Sequence, residues 1–345
     1  MKKILVVLTG GTIGSKVESK LIDVNPAAAY RLISLYNETY PCDMEFEVIQ
    51  PLNILSENIT PKEWTTLCDT MSHIDCSNYQ GIIITHGTDT LPYTSALMGL
   101  LYHHLPIPVV LIASNYALED SRSNGLPNFR NAVCLIKEGT ANGVFTIFQN
   151  DSGENDVYLA TRIVEADNYN DQFGCYGGRP FGQMIDEKLV ITPSPLNPSL
   201  DEINANKSRL ISDTIDFKNN VLVIKPHPGL DYRNFDLTQK PKAILHCLYH
   251  SSTACTDGGN YSLLEFIKRC KEEGIDFYVT SFKNYDAEMY TTSKEILSLG
   301  AVPLINISAE AAYTKLLVLY NQTKLSAEEF MHSNIYFESL PEKEG

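Results

Sequence analysis

The sequence predicts an α/β protein: a larger N-terminal Rossmann-like domain built on a parallel sheet, followed by a smaller C-terminal α/β domain. Three observations carry this. Short runs rich in Val and Ile alternate with helical patterns through the first half, as buried parallel strands and their crossover helices do. The alternation breaks in a stretch rich in proline and asparagine and then resumes. At 345 residues the chain is long for one core, which favours two.

In the first domain, residues 1–192, strands are expected at 4–9, 45–49, 81–85, 109–113 and 144–148. Helical patterns fall between them at 26–37, 61–72, 92–103 and 128–138. The second of these carries its own start signal. Thr60 is placed to cap it, Pro61 suits the first turn, and Glu63 completes a capping box. Residues 193–217 read as a linker, with Pro193, Pro195 and Pro198 around Asn197 and the polar run Asn204-Ala205-Asn206-Lys207-Ser208. The second domain, 218–345, is expected to hold strands at 221–225, 243–248 and 276–280, and helices at 261–273, 292–299 and 309–320.

Composition narrows the function. A net charge of −15 argues against a nucleic-acid partner, because a phosphate backbone wants a basic face. The eight cysteines include no C-x-x-C pair and none at zinc-finger spacing from a histidine, so they read as small apolar residues in a reducing compartment. Met1-Lys2-Lys3 and the apolar run behind it resemble a secretion signal, but the run is short and Thr9 and glycines follow at once. No segment approaches the ~20 apolar residues of a membrane span. The expected location is cytoplasmic, with no membrane partner.

Open parallel sheets bind ligands beyond the carboxyl ends of their strands. Three polar clusters fall there: 9–14, 85–90 and Ser114-Asn115. In Thr9-Gly10-Gly11-Thr12-Ile13-Gly14, a glycine pair after a buried strand lets the backbone turn sharply and a ligand approach. The spacing is not G-x-G-x-x-G and no Walker lysine follows, so the choice is between a plain tight turn and one that presents the Thr12 hydroxyl. In His86-Gly87-Thr88-Asp89-Thr90, a strand end runs into a helix start, whose free N–H groups suit a carboxylate. Helix capping by Asp89 or Thr90 accounts for one of these residues, not for the run. His86 alone reads as a buried, hydrogen-bonded histidine.

Taken together, these two clusters resemble the paired signature of the asparaginase/glutaminase family. The resemblance extends to Ser114, Arg122-Ser123-Asn124-Gly125 and Asn131-Ala132, to Ser56-Glu57-Asn58 before Thr60-Pro61, and to Gly258-Gly259-Asn260-Tyr261 and Asp286-Ala287-Glu288. It spans nearly the whole chain, and the length fits the cytoplasmic bacterial type. It implies hydrolysis of L-asparagine to L-aspartate and ammonia, with Thr12 as nucleophile and Thr88 and Asp89 as its catalytic partners. It implies that Ser56 and Glu57 hold the substrate's α-carboxylate and α-amino groups, and that Gly11, Ser114 and Asp89 complete the lining. Asn260 and Glu288 match positions that reach the active site from a neighbouring subunit, which implies a homodimer or homotetramer. No cofactor and no metal are implied: a hydroxyl needs a base or a strong field, and the oxyanion needs backbone N–H donors from the turns at 10–12 and 88.

Two expected groups are displaced. Relatives carry a lid tyrosine about a dozen residues after the first threonine; residues 15–25 hold none, and Tyr30 sits on a helical pattern. Relatives also place a lysine three residues after an arginine, and here Arg162 is followed by Glu165. Glu165 then either takes a proton from Thr88 or pairs with Arg162 at the surface. The substitutions leave two other readings open: an amidohydrolase for a larger or modified amide, and a low-turnover protein that binds aspartate or asparagine.

Overall fold

The structure, a computed structural model, describes residues 3–11, 13, 15–18, 21–24, 26–40, 44–205, 209, 215–282, 288–322 and 326–341. The chain divides into two compact units, Met1–Asp216 with Ile335–Phe337, and Phe217–Asn334 with Glu338–Gly345.

The first unit begins with β1 (Lys3–Leu8), a hairpin of β2 (Ser15–Glu18) and β3 (Leu21–Val24), α1 (Pro26–Thr39) and β4 (Glu45–Ile49). Then come α2 (Pro61–Ser72), β5 (Tyr79–Thr85), α3 (Leu91–Tyr102), β6 (Val109–Ile112), α4 (Gly125–Glu138) and β7 (Val144–Gln149). The last part holds β8 (Asn155–Leu159), β9 (Ile163–Ala166), β10 (Phe173–Cys175), β11 (Gly182–Ile185), β12 (Lys188–Ile191) and α5 (Leu200–Ala205). Its main sheet has eight strands in the order β12-β11-β8-β7-β6-β5-β1-β4. The five strands from β4 to β7 are parallel, as their Val- and Ile-rich runs predict. Ile82, Ile83 and Ile84 are fully buried, each contributing about 2 kcal/mol over an exposed position. At α2, the Thr60 N–H donates to Glu63 Oε2 at 3.0 Å, so the start signal works as read.

The antiparallel extension β8, β11 and β12 is not visible in the sequence as strands. Asp156, Tyr158 and Gln183 interrupt the apolar runs there, and β12 is an edge strand with alternating exposure. The stretch read as a linker contains α5, begun by Ser199, whose N–H and hydroxyl both bond Glu202 Oε2 at 2.8 and 2.7 Å. That S-x-x-E pattern is a capping box masked by the surrounding prolines. Residues 335–337 also belong with the first unit rather than with 218–345. Tyr336 is buried there, its hydroxyl donating to Val144 O at 3.0 Å and accepting from Val144 N at 2.8 Å.

The second unit contains β13 (Val221–Ile224), β14 (Ala243–Cys247), α6 (Leu263–Glu272), β15 (Asp276–Phe282), α7 (Thr291–Ser298), β16 (Val302–Ile305), α8 (Ala309–Asn321) and α9 (Ala327–His332). Its strands form one parallel sheet in chain order, packed on Phe266, Ile267, Phe277 and Ile296. Buried Cys68 and Cys270 have their thiols pushed up to about 12 by desolvation, so both behave as apolar fillers. Among the described residues no helix is long and apolar enough to cross a membrane.

Candidate active site

The ends of β1 and β5 are locked to each other. The Thr9 hydroxyl donates to Thr85 O at 2.6 Å, and the chain beyond Thr9 pairs with a third segment through Ile54 N to Thr9 O at 3.1 Å and Gly11 N to Ile54 O at 2.9 Å. Gly11 has φ +76°, and a Cβ there would lie 2.6 Å from the Gly87 Cα. A Cβ on Gly87 would in turn lie 2.7 Å from Ser56 Cβ. Only glycine permits both approaches: the turn at 11 lies on the backbone of the turn at 87, and Gly87 in turn lies against the Ser56 side chain.

Ser56 is buried and opens a short 3-10 turn, Ser56–Asn58. Thr90 stands at the N-cap of α3, yet its hydroxyl makes no cap bond and donates instead to Ser56 O at 2.9 Å. The capping alternative for Thr90 therefore gives way to a tie between the two polar clusters. The end of β6 joins them: the His86 N–H donates to Ile112 O at 2.8 Å.

Beyond β6, Ser114 and Asn115 part company. Ser114 is fully buried, its hydroxyl engaged with Tyr116 O at 2.6 Å and the Ser123 hydroxyl at 3.0 Å. Asn115, held through its N–H to Asn124 Oδ1 at 3.0 Å, stands on the cavity wall. The side chains of Asn124 and Asn128 brace this corner by bonding Gln149 O, Gln149 N and Ala113 O at 2.7–2.9 Å.

The cavity has a volume of about 350 Å³. One wall is the strand-end group Thr88, Asp89 and Asn115; the opposite wall comes from β9 and the turn after it, with Glu165, Asp167, Asn168 and Asp171. Glu165 accepts a 2.6 Å bond from the Tyr93 hydroxyl of α3. Arg162 is buried and donates to Phe337 O and Leu196 O, both at 2.6 Å. Glu165 thus faces the cavity and meets Tyr93, while Arg162 braces backbone carbonyls. The turn itself is self-bonded: Asp167 Oδ1 accepts from the N–H groups of Tyr169 and Asn170 at 3.0 and 3.2 Å. It is anchored to the sheet by Phe173, whose N–H donates to Asn150 Oδ1 at 3.2 Å and whose carbonyl accepts from the Tyr158 hydroxyl at 3.0 Å.

The electrostatics are one-sided. Burial, then the adjacent Glu57 carboxylate, then Asp171 push the Asp89 carboxyl above its usual range. His86 is fully buried, and desolvation lowers its pKa to about 4. Its Nδ1 lies 2.8 Å from Gly87 O; a carbonyl only accepts, so a neutral ring with the proton on Nδ1 fits. It is the structural histidine the sequence suggests.

Gly11, Ser56, Glu57, Thr88 and Asp89 are therefore brought together, with Ser114 just behind them. Thr12 lies outside the described residues, as do Asp286 and Ala287. Asn260 and Glu288 are exposed on the second unit, where an Asn260 amide turned with its oxygen toward Arg233 accepts from Nε at 3.0 Å and Nη1 at 3.1 Å. Tyr30 is exposed on α1. Asn115 belongs to a strand-end cluster the sequence singles out, whereas Asp167, Asn168 and Asp171 escape the sequence reading. Their signal is the turn-forming run Asp167-Asn168-Tyr169-Asn170-Asp171, which does not betray which edge of the sheet it folds over.

Comparison with known proteins bears on this geometry. Residues 3–194 match the family described as asparaginase, N-terminal. The chain belongs to the asparaginase family. Curated relatives include a glutamyl-tRNA(Gln) amidotransferase subunit from Saccharolobus islandicus, 27% identical over 98% of this chain and 76% of that protein. The corresponding protein from Aeropyrum pernix is 24% identical over 94% and 75%. Among solved structures, the thermostable L-asparaginase from Thermococcus kodakarensis superposes with a TM-score of 0.80 at 24% identity, covering 98% of this chain and 99% of that one. L-asparaginase I from Vibrio cholerae gives 0.75 at 22%, with the same coverage. The asparaginase-family chain is an amidohydrolase with the fold of those structures.

Proposed function

We propose that this amidohydrolase converts L-asparagine to L-aspartate and ammonia in the cavity beside Thr88 and Asp89, with Thr12 as nucleophile. The observation that supports the reading is the close approach of Gly11 to Gly87 and of Gly87 to Ser56, which brings the first two polar clusters together beside a pocket lined by Thr88, Asp89 and Asn115. On this reading the Thr12 hydroxyl adds to the carboxamide carbon, ammonia leaves after taking a proton, and water releases the acyl group as aspartate. The Gly11 N–H is engaged by Ile54 O, so the backbone around Thr88 is the source of oxyanion donors favoured here. Ser56 and Glu57 hold the amino-acid end, and Asp89 faces its ammonium. Asn260 and Glu288 complete a neighbouring protomer's site in a homodimer or homotetramer, and the protein works in the cytoplasm without a cofactor.

A second reading, release of ammonia from an amide donor for transfer to a glutamyl-tRNA, or action on another large amide, follows the names of the curated relatives. Charge weighs against a tRNA: the net charge is −15 and the far cavity wall is acidic. An ammonia-release screen over asparagine, glutamine and simple derivatives separates the readings. Ammonia from asparagine, abolished in Thr12→Ala while aspartate still binds, is the expected result. Heat on aspartate titration without ammonia from any amide would identify a binding protein instead.

A further inference from the structure

The far wall of the cavity is held from behind by residues near the end of the chain. β9 and β10 form a two-stranded sheet of their own, outside the eight-stranded one. Such a ribbon is marginal by itself, so its position over the cavity depends on what holds its ends. Tyr93 and the Phe173 anchors are two such holds. The third lies just before β9. There the Thr161 hydroxyl donates to Tyr336 O at 2.7 Å, and Arg162 Nε donates to Phe337 O at 2.6 Å. Both donors are buried, and β9 runs from them directly to Glu165 on the cavity wall. We infer that Tyr336 and Phe337 are positioning residues for the hydrolytic reaction: by fixing Thr161 and Arg162 they set the hairpin wall, and through it the affinity for substrate. This rests on the hydrolytic reading of the cavity given above.

The seat of Tyr336 is shaped for its ring. The side chain is fully buried and stacks on His103, with centroids 5.5 Å apart and planes inclined by 21°. A Cβ on Gly99 would lie 3.1 Å from Tyr336 Cδ1, and one on Gly143 would run into the Tyr336 hydroxyl. Two glycines therefore clear the space, and the hydroxyl fixes the depth of insertion by bonding both Val144 N and Val144 O. The seat joins three elements: the last turn of α3, which begins just beyond Thr88 and Asp89; the start of β7; and the base of the hairpin. Both walls of the cavity thus share one support. Arg162 makes the link stiff. Its guanidinium is buried and donates to carbonyls at 2.6 Å, to Phe337 through Nε and to Leu196 through Nη1. Charge-assisted bonds of this kind are strong and directional, and taking an acceptor from a buried cation is costly. A displaced Phe337 therefore draws the start of β9 with it.

The test is KM for asparagine in Tyr336→Leu and Tyr336→Phe, read by ammonia release. Leucine neither fills the seat nor stacks on His103, so KM should rise about tenfold or more, the scale of one charge-assisted hydrogen bond. The same variant should change kcat by less than about threefold. Phenylalanine keeps the ring and both backbone carbonyls in place, so KM should stay within about twofold of wild type although Tm falls with the loss of the Val144 bonds. A role in stability alone lowers Tm in both variants and moves KM in neither, because KM does not depend on how much enzyme is folded. Should Tyr336→Leu fail to fold, hydrogen exchange of the wild-type protein decides. Saturating L-aspartate should slow exchange in peptides spanning 163–175 and 333–341 together, since coupling between two sites is reciprocal. An unchanged KM in Tyr336→Leu, or protection of the hairpin without the C-terminal peptides, overturns the inference and leaves the proposed function standing. No ammonia from asparagine with the wild-type protein removes both.

Discussion

The two walls of the cavity are built on different principles. The strand-end wall is backed by close packing on glycine, Gly11 against the Gly87 backbone and Gly87 against the Ser56 side chain, with Thr9 and Thr90 tying the turns through carbonyls. The opposite wall, on the hairpin of β9 and β10, is held by side chains, with Tyr93 on Glu165 and the Asp167 carboxylate on N–H groups of its own turn. A wall of the first kind tolerates almost no substitution at its glycines, because a Cβ there meets neighbouring backbone or the buried Ser56 side chain. A wall of the second kind exchanges side chains without moving the fold. Shared chemistry belongs on the first and selectivity on the second.

Substitutions on the two walls should therefore differ in size. Thr88→Ala, on the strand-end wall, is expected to lower kcat for asparagine by about 10³-fold, read as ammonia release. Gly87→Ala comes next. Its Cβ would lie 2.7 Å from Ser56 Cβ and 3.3 Å from Gly11 Cα, so it should cost about 2 kcal/mol of stability by denaturant unfolding as well as most of the activity. Full retention of both would show that the stacking is not tight.

How much of this was legible follows the same division. Glycines and hydroxyls after Val- and Ile-rich strands are local signals, so Gly11, Thr88 and Asp89 stand out in the sequence by themselves. Ser114 is legible too, but its side chain turns away to Tyr116 and Ser123 while its neighbour Asn115 faces the cavity, a one-residue choice that strand pattern does not decide. The hairpin wall is a matter of long-range folding. Asp167 and Asp171 look like an ordinary polar turn, and Glu165 is ambiguous until Tyr93, 72 residues away, is placed against it. Likewise Tyr336 finds its place through Val144, Thr161 and His103, which no local pattern links to it.

Asp89, on the strand-end wall, should respond to pH. Its carboxyl holds a proton to higher pH in the folded protein than in the unfolded chain, so its ionised form works against folding, and that penalty fades as pH falls through the raised pKa. Asp89→Asn should therefore raise Tm at pH 7 slightly, on the order of 1 °C, while lowering activity and removing the acid limb of the rate profile. A lower Tm for the variant would mean that Asp89 is stabilised by partners rather than strained by neighbours. The smallest effect is expected from Tyr93→Phe, which removes one hydrogen bond to Glu165. It should change kcat/KM for asparagine by no more than about tenfold, consistent with ~1 kcal/mol for such a bond. A loss as large as that of Thr88→Ala would move the chemistry to the hairpin wall.

A crystal structure of the protein grown with L-aspartate tests the shared cavity most directly. The expected result is the amino acid bound between the walls, its α-carboxylate at Ser56, its ammonium toward Asp89, and its side-chain carboxylate beside Thr88. Aspartate bound elsewhere, with this cavity empty in a preparation that releases ammonia from asparagine, would contradict the account.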